Sequence, residues 1–284
     1  MADTRGVFSL KAARIFKSKG EWTSLDDVWH SPSPSGTGPA EGYFGGGGYP
    51  LKNTMDKLSY PSDTTAALPS GANLSVARWR LAATGNLTHG YFAGGTAPAG
   101  LGPYSTMDKT TYSTDTTAYT PSANLNTARF ALAATSSLSA GYFAAGSPGP
   151  ASSMEKVTYS SDTTAELPSG ANLSAQRYNL AGTGNSTHGY FGGGGYSGYH
   201  TLVHKTTYAT DTTGALPSGA DLSLGRQGLA ATGNADAGYF SGGYPTTART
   251  DKLTYSTDTT AATPGANLSL ARFYLAATGN ADAG

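Results

Sequence analysis

Short apolar segments separated by polar turns recur along this chain. The string Gly-Tyr-Phe begins at Gly42, Gly90, Gly141, Gly189 and Gly238, at spacings of 48, 51, 48 and 49 residues. Around each copy, apolar and polar positions alternate as they do in strands, and no window shows an apolar stripe of helical period. Gly-Asn, Ser-x-Asp-Thr and Pro-Ser-Gly mark turns between the segments. Each unit therefore predicts four short strands.

The strands are assigned from individual copies of the unit. Leu81–Thr84 represents the first strand, Gly90–Phe92 the second, Asp56–Tyr60 the third, and Ala66–Leu68 the start of a weaker fourth. Four strands in about 45–50 residues match one blade of a β-propeller. The pattern predicts an all-β, five-bladed propeller over residues 42–284, behind an N-terminal segment, residues 1–41.

The ends of the chain indicate how this ring closes. The first unit begins at a second strand, whereas Leu275–Gly284 copies a first strand with no Gly-Tyr-Phe after it. We expect that C-terminal strand to complete the first blade, which removes both free sheet edges. The alternative is a fragment of a longer repeat array.

The order of motifs within a unit resembles kelch repeats. An arginine (Arg78) precedes the first strand, an aromatic segment ends in Gly-Gly (Tyr91–Gly95), and a tyrosine (Tyr112) closes the third strand. The resemblance implies a kelch-like propeller closed in the way described. The outer strand departs from it, because Ala, Leu or Tyr119 stands where kelch repeats usually have Trp. The recurring turn aspartates, such as Asp63, are interpreted as Asx-type turn residues.

Composition excludes several functions. Among 284 residues there are 18 basic and 18 acidic residues, so net charge is zero and the basic face of a nucleic-acid binder is not expected. The chain has no cysteine, which excludes disulfides, thiol catalysis and cysteine metal sites.

Neither a signal peptide nor a stretch of ~20 apolar residues is present, so membrane insertion is not expected. A virion protein released by lysis needs no signal.

The connections between second and third strands differ most among the units, whereas the turns at the other end are nearly uniform. These loops span residues 45–54, 93–106, 144–153, 192–203 and 241–250. Varied loops on a constant scaffold are typical of binding sites, and Tyr provides flat amphipathic contact area. The candidate ligand-binding residues are Tyr49, Tyr104, Tyr196, Tyr199, His200 and Tyr244. The alternative is that these loops vary because nothing constrains them.

One arginine precedes the first strand of every blade. The five are Arg78, Arg129, Arg177, Arg226 and Arg272. They could ring the axis on the variable-loop face and bind an anion or acidic glycan. Alternatively, each bonds backbone carbonyls of the neighbouring blade and fixes blade spacing. We favour the structural role, because a ring of unpaired arginines would repel itself.

No catalytic, metal or cofactor site emerges from the sequence. His200 and His204 are four residues apart, but no third ligand is near them, so no metal is expected. An aspartate repeated in every unit suits a turn better than a unique catalytic centre. The chain is therefore expected not to be an enzyme.

Residues 1–41 are unlike the repeats. They carry apolar clusters that include Phe8, Phe16, Trp22 and Trp29, and they end in a Pro/Ser/Gly-rich linker. So short a segment cannot form a core alone, so we expect it to dock as an anchor onto another protein or the propeller.

The motifs of the whole chain resemble those of virion- or tail-associated repeat proteins of marine bacteriophages, particularly cyanophages. They are Gly-Val-Phe, Gly-Glu-Trp and Asp-Val-Trp in this segment, followed by the Gly-Tyr-Phe-Gly-Gly and Tyr-Ser-Thr-Asp-Thr-Thr repeats. The resemblance implies a virion location and a structural or host-contact role. The expected partners are other virion proteins, through residues 1–41, and a host-surface glycan or protein, through the variable loops. Three hypotheses remain: a displayed binding or decoration protein, an assembly hub without a ligand, and a propeller enzyme acting on polysaccharide.

Overall fold

The structure is a computed structural model that describes residues 41–48, 50–97, 102–148 and 152–277. Within these ranges the secondary structure is 19 β-strands and five three-residue 3-10 turns. The strands form five antiparallel sheets, one per sequence unit, in consecutive order. The predicted all-β, five-bladed β-propeller is confirmed.

The first blade contains β1 (Glu41–Gly45), β2 (Met55–Ser59) and β3 (Thr64–Ala67). The second contains β4 (Ala82–Gly85), β5 (His89–Ala93), β6 (Met107–Thr111) and β7 (Thr116–Tyr119). The third contains β8 (Ala133–Ser136), β9 (Ala140–Ala144), β10 (Met154–Thr158) and β11 (Thr163–Glu166). The fourth contains β12 (Ala181–Gly184), β13 (His188–Gly192), β14 (Val203–Thr207) and β15 (Thr212–Ala215). The fifth contains β16 (Ala230–Gly233), β17 (Ala237–Ser241), β18 (Thr250–Thr254) and β19 (Thr259–Ala262).

The inner strands β4, β8, β12 and β16 are neighbours around the axis. The first blade has three strands within the described residues. Residues 275–277 line the axial cavity together with β1. The remainder of the predicted closing strand, residues 278–284, lies outside the described residues, as do residues 1–40.

The outer strand of a blade begins two residues earlier than the sequence predicts. Asp63 adopts a left-handed conformation with φ of 51°. This reverses the chain within a tight turn, so Thr64 already pairs with Ser59. Thr64, which the Ser-x-Asp-Thr pattern places in the turn, therefore belongs to the strand together with Thr65.

The hydrophobic core lies between consecutive blades. Tyr and Phe of Gly-Tyr-Phe are adjacent in one strand, so they point to opposite faces of their sheet. Tyr91 packs with Tyr159 of the following blade, whereas Phe92 packs with Met55 of the preceding blade. Neither aromatic side chain is more than 4% exposed. The second, third and fourth blades thus each contribute one aromatic residue to each of their two interfaces.

The glycine of Gly-Tyr-Phe permits this close approach. A Cβ atom at Gly141 would meet Cγ2 of Thr84 on the preceding blade. Any larger residue would therefore push the inner parts of the two blades apart.

Polar contacts reinforce each interface near the turns that join third and fourth strands. A tyrosine of one blade stacks on a tyrosine of the next at centroid distances of 4.7–4.9 Å. The stacked pairs are Tyr43–Tyr112, Tyr91–Tyr159, Tyr142–Tyr208 and Tyr190–Tyr255. The turn aspartate of the second blade of each pair completes the contact.

Asp162 shows this arrangement. It accepts hydrogen bonds from the hydroxyl of Tyr91 at 2.6 Å and from Nζ of Lys109 at 2.7 Å, both on the preceding blade. Burial opposes the charge of Asp162, but the bonds from Lys109 and Tyr91 prevail and lower its pKa. Asp115, Asp211 and Asp258 bind their preceding blades in the same way. The interpretation of these aspartates as turn residues alone was incomplete, because the partner blade is distant in sequence.

Replacing Asp162 with Ala is expected to lower the free energy of unfolding by about 1–3 kcal/mol, because a charge-assisted contact between blades is lost. Chemical denaturation at neutral pH measures the change. Asp63→Ala is the matched control: it has the same turn and φ, but among the described residues Asp63 makes no ion pair or side-chain hydrogen bond. Equal losses in both variants would show that turn conformation, and not the contact between blades, sets the cost.

Candidate functional site

The connections between second and third strands lie at the same end of the propeller as the connections between blades, and we call this end the loop face. A Gly-Gly pair after the Tyr-Phe segment joins the two sets in four units, and Ala145-Gly146 takes its place in the third. Gly95 N donates to Arg129 O of the next blade at 2.8 Å, and a Cβ atom on Gly94 would lie 2.5 Å from that oxygen. Gly94 also has φ of +68°. Glycine is therefore favoured where the variable loops begin, and the third unit has Ala145 at this position with φ of 63°.

The repeated arginines lie beneath this face. Arg78 is fully buried, pairs through Nη1 with Asp108 at 2.8 Å, and donates through Nη2 to Phe92 O at 3.0 Å. Its backbone N donates to Lys52 O of the first blade. The arginine thus ties the preceding blade through its backbone and its own blade through its side chain. This placement differs from both predictions for the arginines. Arg78 does not belong to a ring of arginines around the axis, and its side chain bonds its own blade and not the neighbouring blade.

The charge partner varies among blades. Arg129 pairs with Glu155 at 2.7 Å, and Arg226 pairs with Asp251 at 2.8 Å. Burial lowers the pKa of these arginines while the carboxylates oppose the shift. Arg272 is exposed, and its backbone bonds the fifth blade through Thr247 O. The side chains of Arg129 and Arg226, like Arg78, are therefore engaged inside the scaffold.

The fourth blade departs from this scheme, because His204 stands where the other buried pairs have a carboxylate. Nη2 of Arg177 lies 2.7 Å from Nδ1 of His204, so Nδ1 must accept and Nε2 must carry the proton. Nε2 lies 2.8 Å from Oγ of Ser174 and can donate its proton to that oxygen. Nε2 also lies 3.0 Å from the backbone N of Ser174, but a protonated Nε2 cannot accept a hydrogen bond from this amide. A carboxylate in the other blades accepts from both the arginine and the backbone amide, so the fourth blade holds an uncompensated guanidinium.

Replacing His204 with Asp is therefore expected to raise the free energy of unfolding by about 1–3 kcal/mol, since the buried cation gains a counter-charge and the Ser174 amide gains an acceptor. Denaturant titration at pH 7.5 measures the change. The reciprocal variant Asp251→His should destabilise, because it transfers the arrangement of the fourth blade to the fifth. A neutral or unfavourable effect of His204→Asp would contradict this account of the pair.

The same residue predicts acid sensitivity. Burial first, then the charges of Arg177 and His200, lower the pKa of His204 to about 4. The unfolded chain therefore binds this proton at higher pH, near 6.5, so the contribution of His204 to stability is complete above about pH 6.5 and is lost as the pH falls towards 4. Melting temperatures of the wild type and His204→Asp across that range should diverge. Parallel curves would contradict the assignment.

Five residues surround the axis at the loop face, each the second residue after a repeated arginine and each with φ of 54–62°. We call them the axial ring; they are Arg80, Ala131, Asn179, Gly228 and Tyr274. In the last four, N donates to the equivalent carbonyl of the preceding unit at 2.7–2.8 Å. The axial ring forms the mouth of an axial cavity of about 760 Å³, lined mainly by Ala, Gly and Thr of the inner strands. Among its described lining residues, only Glu41 and Arg80 are charged.

Aromatic side chains form a connected surface beside this mouth. Tyr196, Tyr199 and Tyr244 are 61%, 45% and 44% exposed. Tyr199 contacts Tyr244, and Tyr244 contacts Phe273, both at centroid distances of 5.6 Å. Phe273 in turn contacts Tyr274 at 5.3 Å. Three of the six predicted ligand-binding residues are thus exposed on one face.

The other three predicted residues differ. Tyr104 is half-buried, and its backbone bonds Gly95 and Arg129, which gives it a role in the scaffold. His200 is also half-buried, and its carbonyl accepts from Arg226 N. Tyr49 lies outside the described residues.

Sequence reasoning missed the aromatic residues that follow the repeated arginines. Trp79, Phe130, Tyr178 and Phe273 occupy this position in four units, and Gln227 occupies it in the fifth. The signal in the sequence was an aromatic residue that recurs directly after the arginine, at a position that packing between the strands alone did not explain. The structure places it at the rim of the loop face, where Tyr178 contacts Tyr196 at 6.5 Å.

No group of three or more metal-binding side chains occurs among the described residues. The described part of the chain also contains no helix that is long and apolar enough to cross a membrane. The predicted anchor residues Phe8, Phe16, Trp22 and Trp29 lie outside the described residues.

In comparisons with known proteins, no family model matches the chain, and no curated protein is significantly similar to it. The resemblances to kelch repeats and to phage repeat proteins therefore rest on short sequence motifs and their order alone.

Proposed function

We propose that this protein is a non-enzymatic binding module of a bacteriophage particle, and that its loop face binds a saccharide of the host surface. The observation that carries the proposal is the exposed aromatic surface of Tyr196, Tyr199, Tyr244, Phe273 and Tyr274. Large apolar groups exposed together on a folded protein favour an interaction site. Tyrosine rings offer an apolar face for sugar C–H groups and a hydroxyl for sugar oxygens.

The uneven use of tyrosine supports this choice of face. At the opposite end, tyrosines such as Tyr91 and Tyr142 are buried between blades, and their hydroxyls bind turn aspartates. The tyrosines of the loop face have no comparable packing task. Exposed tyrosine side chains lower the solubility of the protein and add nothing to the packing between blades. We therefore interpret these tyrosines as residues that contact a ligand.

The engagement of the carboxylates favours binding over catalysis. A glycoside hydrolase needs two carboxyl groups about 5–9.5 Å apart that face the sugar. Four of the five repeated aspartates instead bind Tyr and Lys between blades. Asp108, Glu155 and Asp251 bind buried arginines. The proposed location in a phage particle, with residues 1–41 as the anchor, is supported by the sequence resemblance.

The triple variant Tyr196→Ala, Tyr199→Ala, Tyr244→Ala is expected to weaken saccharide binding at least ~10-fold, because contact residues of this type each contribute on the order of 1 kcal/mol or more. A glycan array followed by calorimetric titration of the positive glycans measures this loss. Leu138→Ala, which removes an exposed apolar side chain from the opposite face, is the control. Unchanged binding by the triple variant would overturn the site, and binding only to host proteins would replace the saccharide with a protein partner.

Phage carrying the triple variant should assemble in normal yield but adsorb poorly to host cells. Particle counts and adsorption assays on the same preparation separate the two effects. Loss of particles instead of adsorption would support the assembly role, and normal adsorption would exclude a role of this face in host contact.

A further inference from the structure

Arg80 occupies a position for which the scaffold does not require arginine. The equivalent members of the axial ring are Ala131, Asn179, Gly228 and Tyr274. All share the left-handed conformation, and Arg80 has φ of 56°. Gly and Asn adopt this conformation more readily than arginine. The fold therefore accepts several side chains at this position. The backbone conformation of the axial ring does not explain why the first unit has an arginine.

Aromatic rings hold the Arg80 guanidinium in place. Its Cζ atom lies 4.4 Å from the ring centroid of Trp79, 5.2 Å from that of Tyr274 and 5.9 Å from that of Phe130. Cation–π contacts of this kind fix the plane of the guanidinium without neutralising its charge. The group is thus oriented before any ligand arrives.

The hydrogen-bonding capacity of the Arg80 guanidinium is not used by the part of the chain that the structure describes. Among the described residues Arg80 has no carboxylate partner, and its buried Nε has no acceptor. Arg78, only two residues away, is instead fully buried and paired with Asp108. Two neighbouring arginines therefore have opposite environments, one closed inside the blade and one at the mouth of the axial cavity.

The surroundings of Arg80 favour an anion. The described connections of the loop face carry the exposed cations Lys52, Arg249 and Arg272, and a single acidic residue, Asp221. Nδ2 of Asn179 lies 3.2 Å from the hydroxyl of Tyr274, which sets a second polar pair beside the guanidinium. The loop face thus carries an excess of positive charge, and uncharged hydrogen-bonding groups lie beside Arg80 at the mouth.

We infer that Arg80 is the specificity-determining residue of the loop face, and that the ligand class is an acidic saccharide. The planar guanidinium binds a carboxylate of the ligand in bidentate fashion, as this geometry favours. The neighbouring aromatic rings contact the sugar faces. This inference rests on the proposed saccharide binding and adds the charge of the ligand to it.

The test compares one polysaccharide in two forms. Oligosaccharides of a uronic acid polymer and their carboxyl-reduced, neutral counterparts are titrated against the full-length protein. Wild type should bind the acidic form at least ~10-fold more tightly, since a charge-assisted bidentate pair supplies the difference. A dextran sulfate of similar length tests whether any polyanion suffices.

Arg80→Asn is the decisive variant, because Asn179 already occupies the equivalent position and the backbone conformation is retained. It should lose the preference for the acidic form while keeping the melting temperature and the residual affinity for the neutral form. Arg80→Lys, which keeps the charge but not the planar fork, should recover only part of the preference. Arg249→Gln, which removes an exposed arginine of the same face, should change affinity less than about 2-fold.

The outcomes separate the inference from the proposed function. If wild type binds both forms equally, or if Arg80→Asn and Arg249→Gln have the same effect, the assignment of Arg80 is wrong and saccharide binding stands. If dextran sulfate binds as tightly as the uronate, the site is a general polyanion surface and carboxylate recognition is wrong. If no saccharide binds, the proposed function and the inference both fail.

Discussion

Every blade of this propeller is a thin sheet whose two faces must be covered by its neighbours. No blade has a core of its own, because the buried clusters lie between consecutive sheets. The Gly-Tyr-Phe segment meets this constraint. Its tyrosine covers the next blade, its phenylalanine covers the preceding blade, and its glycine leaves room for the close approach. Repetition of this segment is therefore a direct consequence of how the sheets are buried.

The polar residues follow the same constraint. Turn aspartates reach back to Tyr and Lys of the preceding blade, and buried arginines connect the backbone of one blade to a carboxylate of the next. These contacts fix the rotation between blades, which apolar packing alone leaves loosely defined. They also absorb most of the conspicuous charged residues of the repeat. Charges that recur in every unit consequently belong to the scaffold, and a ligand site must be sought where the units differ.

Two departures from the repeat have different physical consequences. His204 replaces a buried carboxylate and leaves Arg177 without a counter-charge, which weakens the interior of the fourth blade. Arg80 adds a cation at a mouth position where the other units have neutral residues, and aromatic rings hold it there. The first departure costs stability within the scaffold, whereas the second equips a surface. Together with the exposed tyrosines, Arg80 distinguishes the loop face from the uniform opposite end.

The sequence by itself determined the number of blades, the strand order within them and the end at which variation concentrates. These properties depend on local alternation, turn residues and repeat spacing, all of which are readable along one chain. Tyr196, Tyr199 and Tyr244 were identified for the same reason, because they stand in loops that differ between copies. The ion-pair partners of Asp162 and Arg78 were decided only by the tertiary structure, since Lys109 and Asp108 lie in other strands or blades, 53 and 30 residues away. Likewise, the burial of the repeated arginines and the aromatic enclosure of Arg80 arise from the closing of five units around one axis. Spacing along the chain does not reveal which side chains that closure brings together.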